Sequence, residues 1–176
     1  MNQPPRKSNT LLLIVIILAV IGVLGVVMVV VFVGVGFYGL QKYTTDSKKA
    51  EGQMTVGVLA RGLSTCMERE ELSATGEMNT PKELPPSSPA VPASVPKGMK
   101  YMSTPSDWTS PAFTCAKFSM SAPQYFQYQW EKVSTTTGVV RARADLDGDG
   151  VVDVNLEMEV RCTATRSCTP GALVEK

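Results

Sequence analysis

The chain contains no histidine among its 176 residues. Histidine is the commonest general base and the commonest zinc ligand, so its absence removes the usual acid–base pairs and zinc centres. The sequence also has no G-x-S-x-G motif, no phosphate-binding loop and no dinucleotide fingerprint. Its formal net charge is only +1, which gives nucleic acid no basic surface to bind. We therefore expect a protein that is not an enzyme and that binds neither nucleic acid nor a small-molecule substrate.

Charged side chains are also missing from residues 11–40, which read LLLIVIILAVIGVLGVVMVVVFVGVGFYGL. As a helix this stretch would be roughly 45 Å long, more than the ~30 Å hydrocarbon core of a bilayer. A helix that is apolar on every side needs an apolar solvent, so the stretch predicts a single-pass transmembrane helix. The alternative is a cleaved secretory signal, but such a signal has a shorter apolar region, usually of about 7–15 residues.

The N-terminal flank of this helix is short and carries Arg6 and Lys7, while Lys42, Lys48 and Lys49 follow the helix. The short flank favours a cytoplasmic N-terminal tail at residues 1–10, with the C-terminal part exported. Small residues can bring membrane helices into close contact, and they predict a helix-packing face. This predicted face consists of Ala19, Gly22, Gly25, Gly36 and Gly39. The alternative is that glycine is simply common in membrane helices.

A second, amphipathic helix is predicted over residues 48–72, capped by Thr44, Thr45 or Asp46 and closed by Gly76. Because the connection from Leu40 is short and contains no proline, one long helix is an alternative. The predicted apolar stripe consists of Ala50, Met54, Val58, Leu63, Cys66 and Met67. Glycines within the helix weaken its intrinsic stability, so it must pack against another element. These glycines are Gly52, Gly57 and Gly62.

Prolines then become dense among serine, threonine and lysine, from residue 80 to residue 111. Proline at this density excludes helix and central strand. It predicts an extended connecting loop laid over the domain, and the alternative is a partly disordered segment. Beyond the loop, apolar residues alternate with polar ones, which predicts strands over residues 113–120, 124–132, 139–145 and 152–161. Pro123, Gly138 and residues 148–150 mark the turns between them. The prediction is an α+β fold, in which the helix covers the apolar face of a four-stranded antiparallel sheet.

Four cysteines allow three disulfide pairings. Cys162 and Cys168 enclose a short loop and suit a local disulfide, which leaves Cys66 to pair with Cys115. Such a bond would tie the helix to the first predicted strand and stabilise a small domain. Strict alternation, however, places Cys115 on the polar face of that strand, so a bulge or another pairing would be needed. Free buried thiols are the remaining alternative.

An acidic turn at residues 145–153 places carboxylates at positions 1, 3, 5 and 9 of a calcium-type loop, with glycine at position 6. Calcium is therefore a candidate ligand. The candidate ligands are the side chains of Asp145, Asp147, Asp149 and Asp153 and the carbonyl of Val151. Position 12, where a bidentate glutamate belongs, is Leu156, and Glu157 comes one residue late. A solvated hairpin turn is the alternative, because aspartate and glycine are common turn residues.

Several segments of the exported part resemble type IV pilins of the delta-proteobacterial, notably myxobacterial, type. The helix KKAEGQMTVGVLARGLSTCMERE (residues 48–70) resembles the K-S-A-E-A…A-R-G…Y-E-R-E helix of these proteins. The later segments follow in the same order as in those pilins. They are VPKGMKY (95–101), DW (107–108), CAKFSMSAPQYFQYQW (115–130) and ARADLDGDG (142–150). The resemblance implies a pilin-like fold, with a long N-terminal helix packed on an antiparallel sheet.

The N-terminus departs from the pilin pattern, because residues 7–10 (KSNT) replace the peptidase site and residues 11–40 contain no acid. We therefore expect an uncleaved signal-anchor in the bacterial inner membrane, with the C-terminal domain periplasmic or extracellular. The resemblance implies an accessory or diverged subunit of a type IV pilus or type II secretion-like system, with other pilins or assembly proteins as partners. The alternatives are a membrane-tethered binding module, calcium-dependent or not, and a processed structural pilin.

The predicted organisation has five segments. They are a tail at residues 1–10, a transmembrane helix at 11–40, an amphipathic helix at 41–76, a proline-rich connecting loop at 77–111, and the sheet with its C-terminal disulfide loop at 112–176.

Overall fold

The computed structural model describes residues 10–69, 71–72, 78–79 and 83–176. These residues form two compact units, Met1–Thr44 (unit 1) and Thr45–Lys176 (unit 2). Helix α1 (Thr10–Glu68) contributes to both units. The predicted tail at residues 1–9, the predicted helix end at Gly76 and residues 80–82 of the proline-rich loop lie outside the described residues.

Unit 1 consists of the apolar part of α1. The segment Leu13–Gly36 has 24 residues and could span a membrane by its length and composition. No cap interrupts the helix at Thr44, Thr45 or Asp46, where the sequence predicts a new helix start. No proline or turn motif breaks the chain there, so the alternative of one long helix is the one observed.

Unit 2 has an α+β fold, in which the second part of α1 lies with a four-stranded antiparallel sheet. The strands are β3 (Gln127–Lys132), β4 (Thr137–Ala144), β5 (Val154–Cys162) and β6 (Cys168–Glu175), in the order β3-β4-β5-β6. Short turns connect neighbouring strands, which makes the sheet a meander. Gly138, a predicted turn residue, instead pairs with Lys132 and Val160 inside the sheet.

Helix α1 ends at Glu68, whereas the sequence predicts that it continues to residue 72. The backbone N–H of Arg69 donates to the carbonyl of Cys66, three residues back, at 3.3 Å. Such a bond tightens the last turn of a helix. Beyond it, β1 (Glu71–Leu72) pairs with β2 (Met78–Asn79) in a separate two-stranded sheet.

The predicted strand at residues 113–120 is wrong, because a short helix, α2 (Pro111–Cys115), occupies its first part. Pro111 stands in the first turn of α2, where its missing N–H costs no hydrogen bond. The helix ends at Cys115, and Lys117, two residues beyond, has a left-handed φ of 51°. There the N–H of Phe118 donates to the carbonyl of Phe113 at 2.9 Å, and that of Lys117 to Thr114 at 3.1 Å. These two bonds form a Schellman end, which turns the chain away from an extended path.

The fourth strand of the sheet is β6, which the sequence analysis does not predict. β6 contains Pro170 and Gly171, residues that weaken the strand pattern. It lies at one edge of the sheet, where its outer backbone groups need no neighbouring strand, and an edge tolerates proline. The pairing of β6 with β5 is irregular, because the register shifts between Met158 and Val160.

The proline-rich loop covers the opposite edge of the sheet, along β3. Val91 exchanges two backbone hydrogen bonds with Tyr128, at 2.7 and 2.8 Å, and the N–H of Ser88 donates to Trp130 at 2.9 Å. The indole N–H of Trp130 donates to the carbonyl of Pro85 at 3.0 Å. A short 3-10 helix (Pro105–Trp108) follows before α2. The loop is therefore extended, as predicted, and it satisfies backbone groups that an open edge would expose.

The hydrophobic core of unit 2 lies between α1, the sheet and α2. The side chain of Trp108 packs edge-on against Phe113 and Phe118, with ring centroids 4.9 and 5.1 Å apart. The largest fully buried side chains come from α1, the sheet, α2 and the loops beside them. They are Leu59, Leu63, Met67, Leu84, Phe113, Phe126, Tyr128, Trp130 and Leu156. Burial of these apolar side chains is the main source of stability for a domain of this size.

The buried face of α1 differs in part from the predicted stripe. Leu63, Cys66 and Met67 are buried as predicted, but Met54 is 71% exposed, Val58 is 48% exposed and Ala50 is also exposed. The buried positions near them are Gly52, Val56, Leu59 and Ala60. The reason is close packing: a Cβ at Gly52 would lie 2.7 Å from the ring of Phe126, so a glycine turns toward the sheet and the larger side chains turn away.

Two disulfides are present, Cys66–Cys115 and Cys162–Cys168, with Cα–Cα distances of 5.4 and 4.0 Å. This is the pairing that the sequence analysis favours. The predicted conflict at Cys115 does not arise, because Cys115 ends helix α2 instead of lying on a strand. The first disulfide joins the end of α1 to α2, and the second closes the turn between β5 and β6.

Two glycines of α1, Gly57 and Gly62, should change the free energy of unfolding in different directions when each is replaced by alanine. A Cβ at Gly62 would lie 2.6 Å from the backbone carbonyl oxygen of Ala116, whereas a Cβ at Gly57 would meet only the end of the flexible Arg61 side chain. We expect Gly62→Ala to lower the free energy of unfolding by about 1–3 kcal/mol through overpacking. Gly57→Ala should leave it unchanged or raise it by up to about 1 kcal/mol through helix propensity.

Urea unfolding of the detergent-solubilised full chain, followed by tryptophan fluorescence, measures both variants. Equal effects of the two substitutions would contradict the close contact between α1 and the α2 region.

Candidate functional site

An apolar stripe lies on the face of α1 that the sheet does not cover. Ala50, Met54 and Val58 follow one another at intervals of four residues, which places them on one side of a helix. All three are exposed, and exposed Arg61 and Thr65 continue the same side. We call Ala50, Met54 and Val58 the outer stripe. The outer stripe is therefore a candidate contact site for another molecule.

The predicted packing face of unit 1 consists of small residues. A Cβ built at Gly22, Gly25, Gly36 or Gly39 would meet no other atom within 4 Å in this single chain. Ala19 lies in a shallow apolar groove together with Ile16, Val20, Val23 and Leu24. The helix surface is therefore open to a second helix at these positions, and the packing face stays a prediction.

The acidic turn brings three of the five predicted ligands together. Carboxylate oxygens of Asp145, Asp147 and Asp149 lie within 4.8 Å of one another. Asp145 is buried, whereas the other two are exposed. Among the described residues, the carboxylate of Asp153 is not part of this cluster. Three hard oxygen ligands could hold a metal ion, although calcium takes six to eight ligands and water would have to supply the others.

The carboxylates also hold the shape of the turn through backbone hydrogen bonds. Asp145 accepts from the N–H groups of Gly148 at 2.6 Å and Gly150 at 2.8 Å, one at each oxygen. Asp149 accepts from Val151 at 2.7 Å, and Asp153 accepts from Leu146 at 3.1 Å. Aspartates that accept such bonds are common in turns without any metal.

The glutamate that would complete a calcium-type loop is not available. Leu156, at loop position 12, is fully buried in the core. Glu157 points to the other face of the sheet, where it accepts from Arg141 at 3.0 Å and pairs with Lys176 at 2.5 Å. The hydrogen bond from Lys176 lowers the pKa of Glu157, and Arg141 lowers it further. The side chain of Glu157 therefore pairs with Arg141 and Lys176 and is not available to the acidic turn.

A polar network joins α1 to the acidic turn and to β3, and the sequence analysis does not predict it. The ammonium group of Lys48 donates to the carbonyl of Leu146 at 3.1 Å and lies 4.8 Å from the ring centroid of Tyr125. Lys100 lies over the same ring at 5.1 Å. Glu51 accepts a hydrogen bond from the backbone N–H of Tyr125 at 2.9 Å. The sequence feature that could have indicated this network is Glu51, an acidic residue next to Gly52 on the side of α1 that faces the sheet.

Burial raises the pKa of Glu51, while the hydrogen bond from Tyr125 and the charge of Lys100 act in the opposite direction. Burial also raises the pKa of Tyr128, whose hydroxyl lies beside Thr55 and Glu51. Both groups are therefore more readily neutral here than in water. The contacts of this network hold the helix on the sheet.

No family model, no curated protein and no solved structure matches this chain.

The raised pKa of Glu51 predicts a pH effect on stability. A carboxyl group with a raised pKa favours the folded state when it is protonated, and this advantage is lost as the pH rises through the folded-state pKa. Glutamine keeps an acceptor oxygen and does not titrate. Between about pH 4 and about pH 7, we therefore expect the Glu51→Gln variant to gain stability relative to the unmodified chain as the pH rises.

Urea unfolding of both proteins across this pH range measures the difference. Glu131→Gln, at a half-buried ion pair with Arg141, is the control. A difference between Glu51→Gln and the unmodified chain that stays constant with pH, or that reverses in sign, would contradict the pKa direction.

Proposed function

We propose that this chain is a membrane-anchored, non-enzymatic, pilin-like protein that acts through helix packing and protein–protein contacts. It serves as an accessory or diverged subunit of a type IV pilus or type II secretion-like system. The observation that carries the proposal is the outer stripe, because α1 presents Ala50, Met54 and Val58 away from its own sheet. A helix that leaves a membrane and keeps an apolar side in water fits a neighbouring helix of the same kind.

The layout of unit 2 supports the same proposal. One face of α1 packs on a four-stranded antiparallel meander, and disulfides secure the helix end and the last strand turn. This layout agrees with the pilin-like organisation that the segment resemblances imply. The apolar segment Leu13–Gly36 supplies the anchor, and the exported unit lies on the periplasmic or extracellular side of the inner membrane. Disulfides form in that compartment, which supports this orientation.

Site-specific photo-crosslinking in the native host tests the proposal. A photoreactive amino acid at Met54 should give cross-links to a second copy or to another subunit with an N-terminal apolar helix. The same amino acid at Val133 is the control, because Val133 is similarly exposed, at 63%, in the turn between β3 and β4. Identical products from both positions, or products that lack such a helix, would contradict the proposal.

Met54→Glu and Val58→Glu should each weaken the association by about 2 kcal/mol, the scale of an interface hot spot. Tryptophan fluorescence of the purified variants checks that the fold of unit 2 is kept. For this comparison the photoreactive amino acid is placed at Ala50, which is exposed on the same stripe. If the two variants then cross-link as efficiently as the chain without these substitutions, the outer stripe is not the contact surface.

A second candidate function is a membrane-tethered binding module that depends on calcium. The observation that favours it is the cluster of Asp145, Asp147 and Asp149. If this function holds, calcium at about 100 times its Kd should raise the free energy of unfolding by about 2.7 kcal/mol. The double variant Asp147→Asn/Asp149→Asn should lose this effect, and Asp46→Asn, on an exposed part of α1, should keep it. Thermal unfolding with calcium, magnesium or a chelator measures the shift, and an equal response of all variants would exclude a site in the acidic turn.

A further inference from the structure

A surface cavity of about 420 Å³ lies in unit 2, between the proline-rich loop and the segment that contains the 3-10 helix. Its volume is in the range of cavities that bind ligands. Residues 89–93 of the loop form one wall. The other wall consists of Tyr101, Ser106, Asp107, Thr109 and Ser110. Members of both walls, such as Ala93 and Thr109, are exposed, so the cavity is open to solvent.

Hydrogen bonds to residues at the sheet edge hold both walls in place. The side-chain amide of Gln127, a residue only 4% exposed, donates to the carbonyls of Pro92 at 2.9 Å and Ala93 at 3.1 Å. On the opposite wall, Tyr101 exchanges two backbone hydrogen bonds with Gln124, both of 2.8 Å. The cavity is therefore formed without a ligand, which lowers the entropy cost of binding.

Asp107 is the only charged residue that lines this cavity among the described residues. Its Oδ2 accepts from the backbone N–H of Thr104 at 2.7 Å and from the hydroxyl of Thr104 at 3.1 Å. These bonds orient the carboxylate, while Oδ1 accepts no hydrogen bond from the part of the chain that the structure describes. Two of the five residues in the loop wall are prolines, which have no N–H to donate. The cavity therefore suits a cationic hydrogen-bond donor.

Ser110 supplies a second polar group to the cavity. It is the N-cap residue of α2, a position where a serine hydroxyl usually accepts from a backbone N–H of the first helical turn. Here the side chain makes no such bond, and its buried Oγ has no partner among the described residues. A buried hydroxyl without a partner costs free energy, and a ligand that donates to Oγ would remove this cost.

A second cavity, of about 190 Å³, adjoins the first, because Pro92 and Tyr101 line both. Lys97 and Lys100 line only the second cavity. The two neighbouring cavities therefore carry opposite charges. A ligand that fills both needs a cationic group and, a short distance away, an anionic one.

We propose that the two cavities bind an extended segment of a partner protein with the pattern lysine, any residue, acidic residue. Side chains two positions apart lie on the same side of an extended chain, so one segment can reach both cavities. The lysine ammonium donates to Oδ1 of Asp107 and Oγ of Ser110, and the acidic side chain pairs with Lys97 or Lys100. Lysine is favoured over arginine, because a guanidinium binds best to two carboxylate oxygens and Asp107 already uses one of them internally.

Isothermal titration calorimetry of the full chain in a nonionic detergent tests the inference. The probe is the peptide acetyl-Ala-Lys-Ala-Glu-Ala-amide, which should bind. One control peptide carries Nε-acetyl-lysine, which keeps the apolar stem and loses the charge, and another has lysine in place of glutamate. Each should bind at least about tenfold more weakly, because the first lacks a charge-assisted hydrogen bond and the second brings a like charge to Lys97 and Lys100.

Two substitutions in the first cavity separate binding from folding. Asp107→Asn keeps an acceptor oxygen for Thr104 but removes the charge, and it should raise the Kd of the probe about tenfold. Ser110→Ala should raise this Kd several-fold, while the free energy of unfolding stays unchanged or increases, because the hydroxyl has no internal partner. Asp46→Asn, at an exposed position of α1, is the charge-matched control and should bind as the unmodified chain does.

The proposed site is overturned if the first peptide does not bind, if the acetylated peptide binds equally well, or if both cavity variants bind as the unmodified chain does. A Ser110→Ala variant that loses stability together with binding would contradict the role of its hydroxyl as a ligand contact. Equal affinity for n-butylamine would assign the first cavity to small amines and overturn the partner protein. The cross-links from Met54 report on a different surface, so their outcome does not depend on these cavities.

Discussion

The burial of one sheet face under α1 is the interaction on which unit 2 depends. Phe126 just before β3, Tyr128 and Trp130 on β3, and Leu156 on β5 are fully buried. Helix α1 contributes side chains such as Leu63 to the same core. Apolar surface removed from water contributes roughly 25 cal/mol per Å². Without the helix, the meander would have an open apolar face, and a sheet must bury such a face against another element. Unit 2 therefore requires the part of α1 that follows the apolar segment.

Much of the fold could be predicted from alternation and helical periodicity. Strands β3, β4 and β5 follow the alternating residues, and the disulfide pairing follows from the short loop between Cys162 and Cys168. Two elements could not be predicted in this way. At residues 111–118 a proline at a helix start and a left-handed Lys117 override the alternation. In β6, Pro170 and Gly171 hide a strand that only the edge of a sheet accepts.

The candidate site was predictable to a smaller degree. Aspartate and glycine at fixed spacing indicated the acidic turn, since carboxylates and glycine have strong local preferences there. The outer stripe was not predictable, because two sides of α1 carry apolar residues at helical spacing. Which side is buried depends on how closely the chain approaches Gly52 and Gly62, and that contact involves residues far away in the sequence, Phe126 and Ala116.

The position of the Cys66–Cys115 disulfide has a mechanical consequence. A pull on the N-terminal segment of α1 enters unit 2 at Thr45 and is carried along the helix. The disulfide lies at the last turn of this helix and connects it covalently to α2. A load on α1 therefore reaches α2 through a covalent bond, and the helix cannot leave the sheet without pulling α2 with it. Reduction of the bond would leave only side-chain contacts to resist the load at this end of the helix.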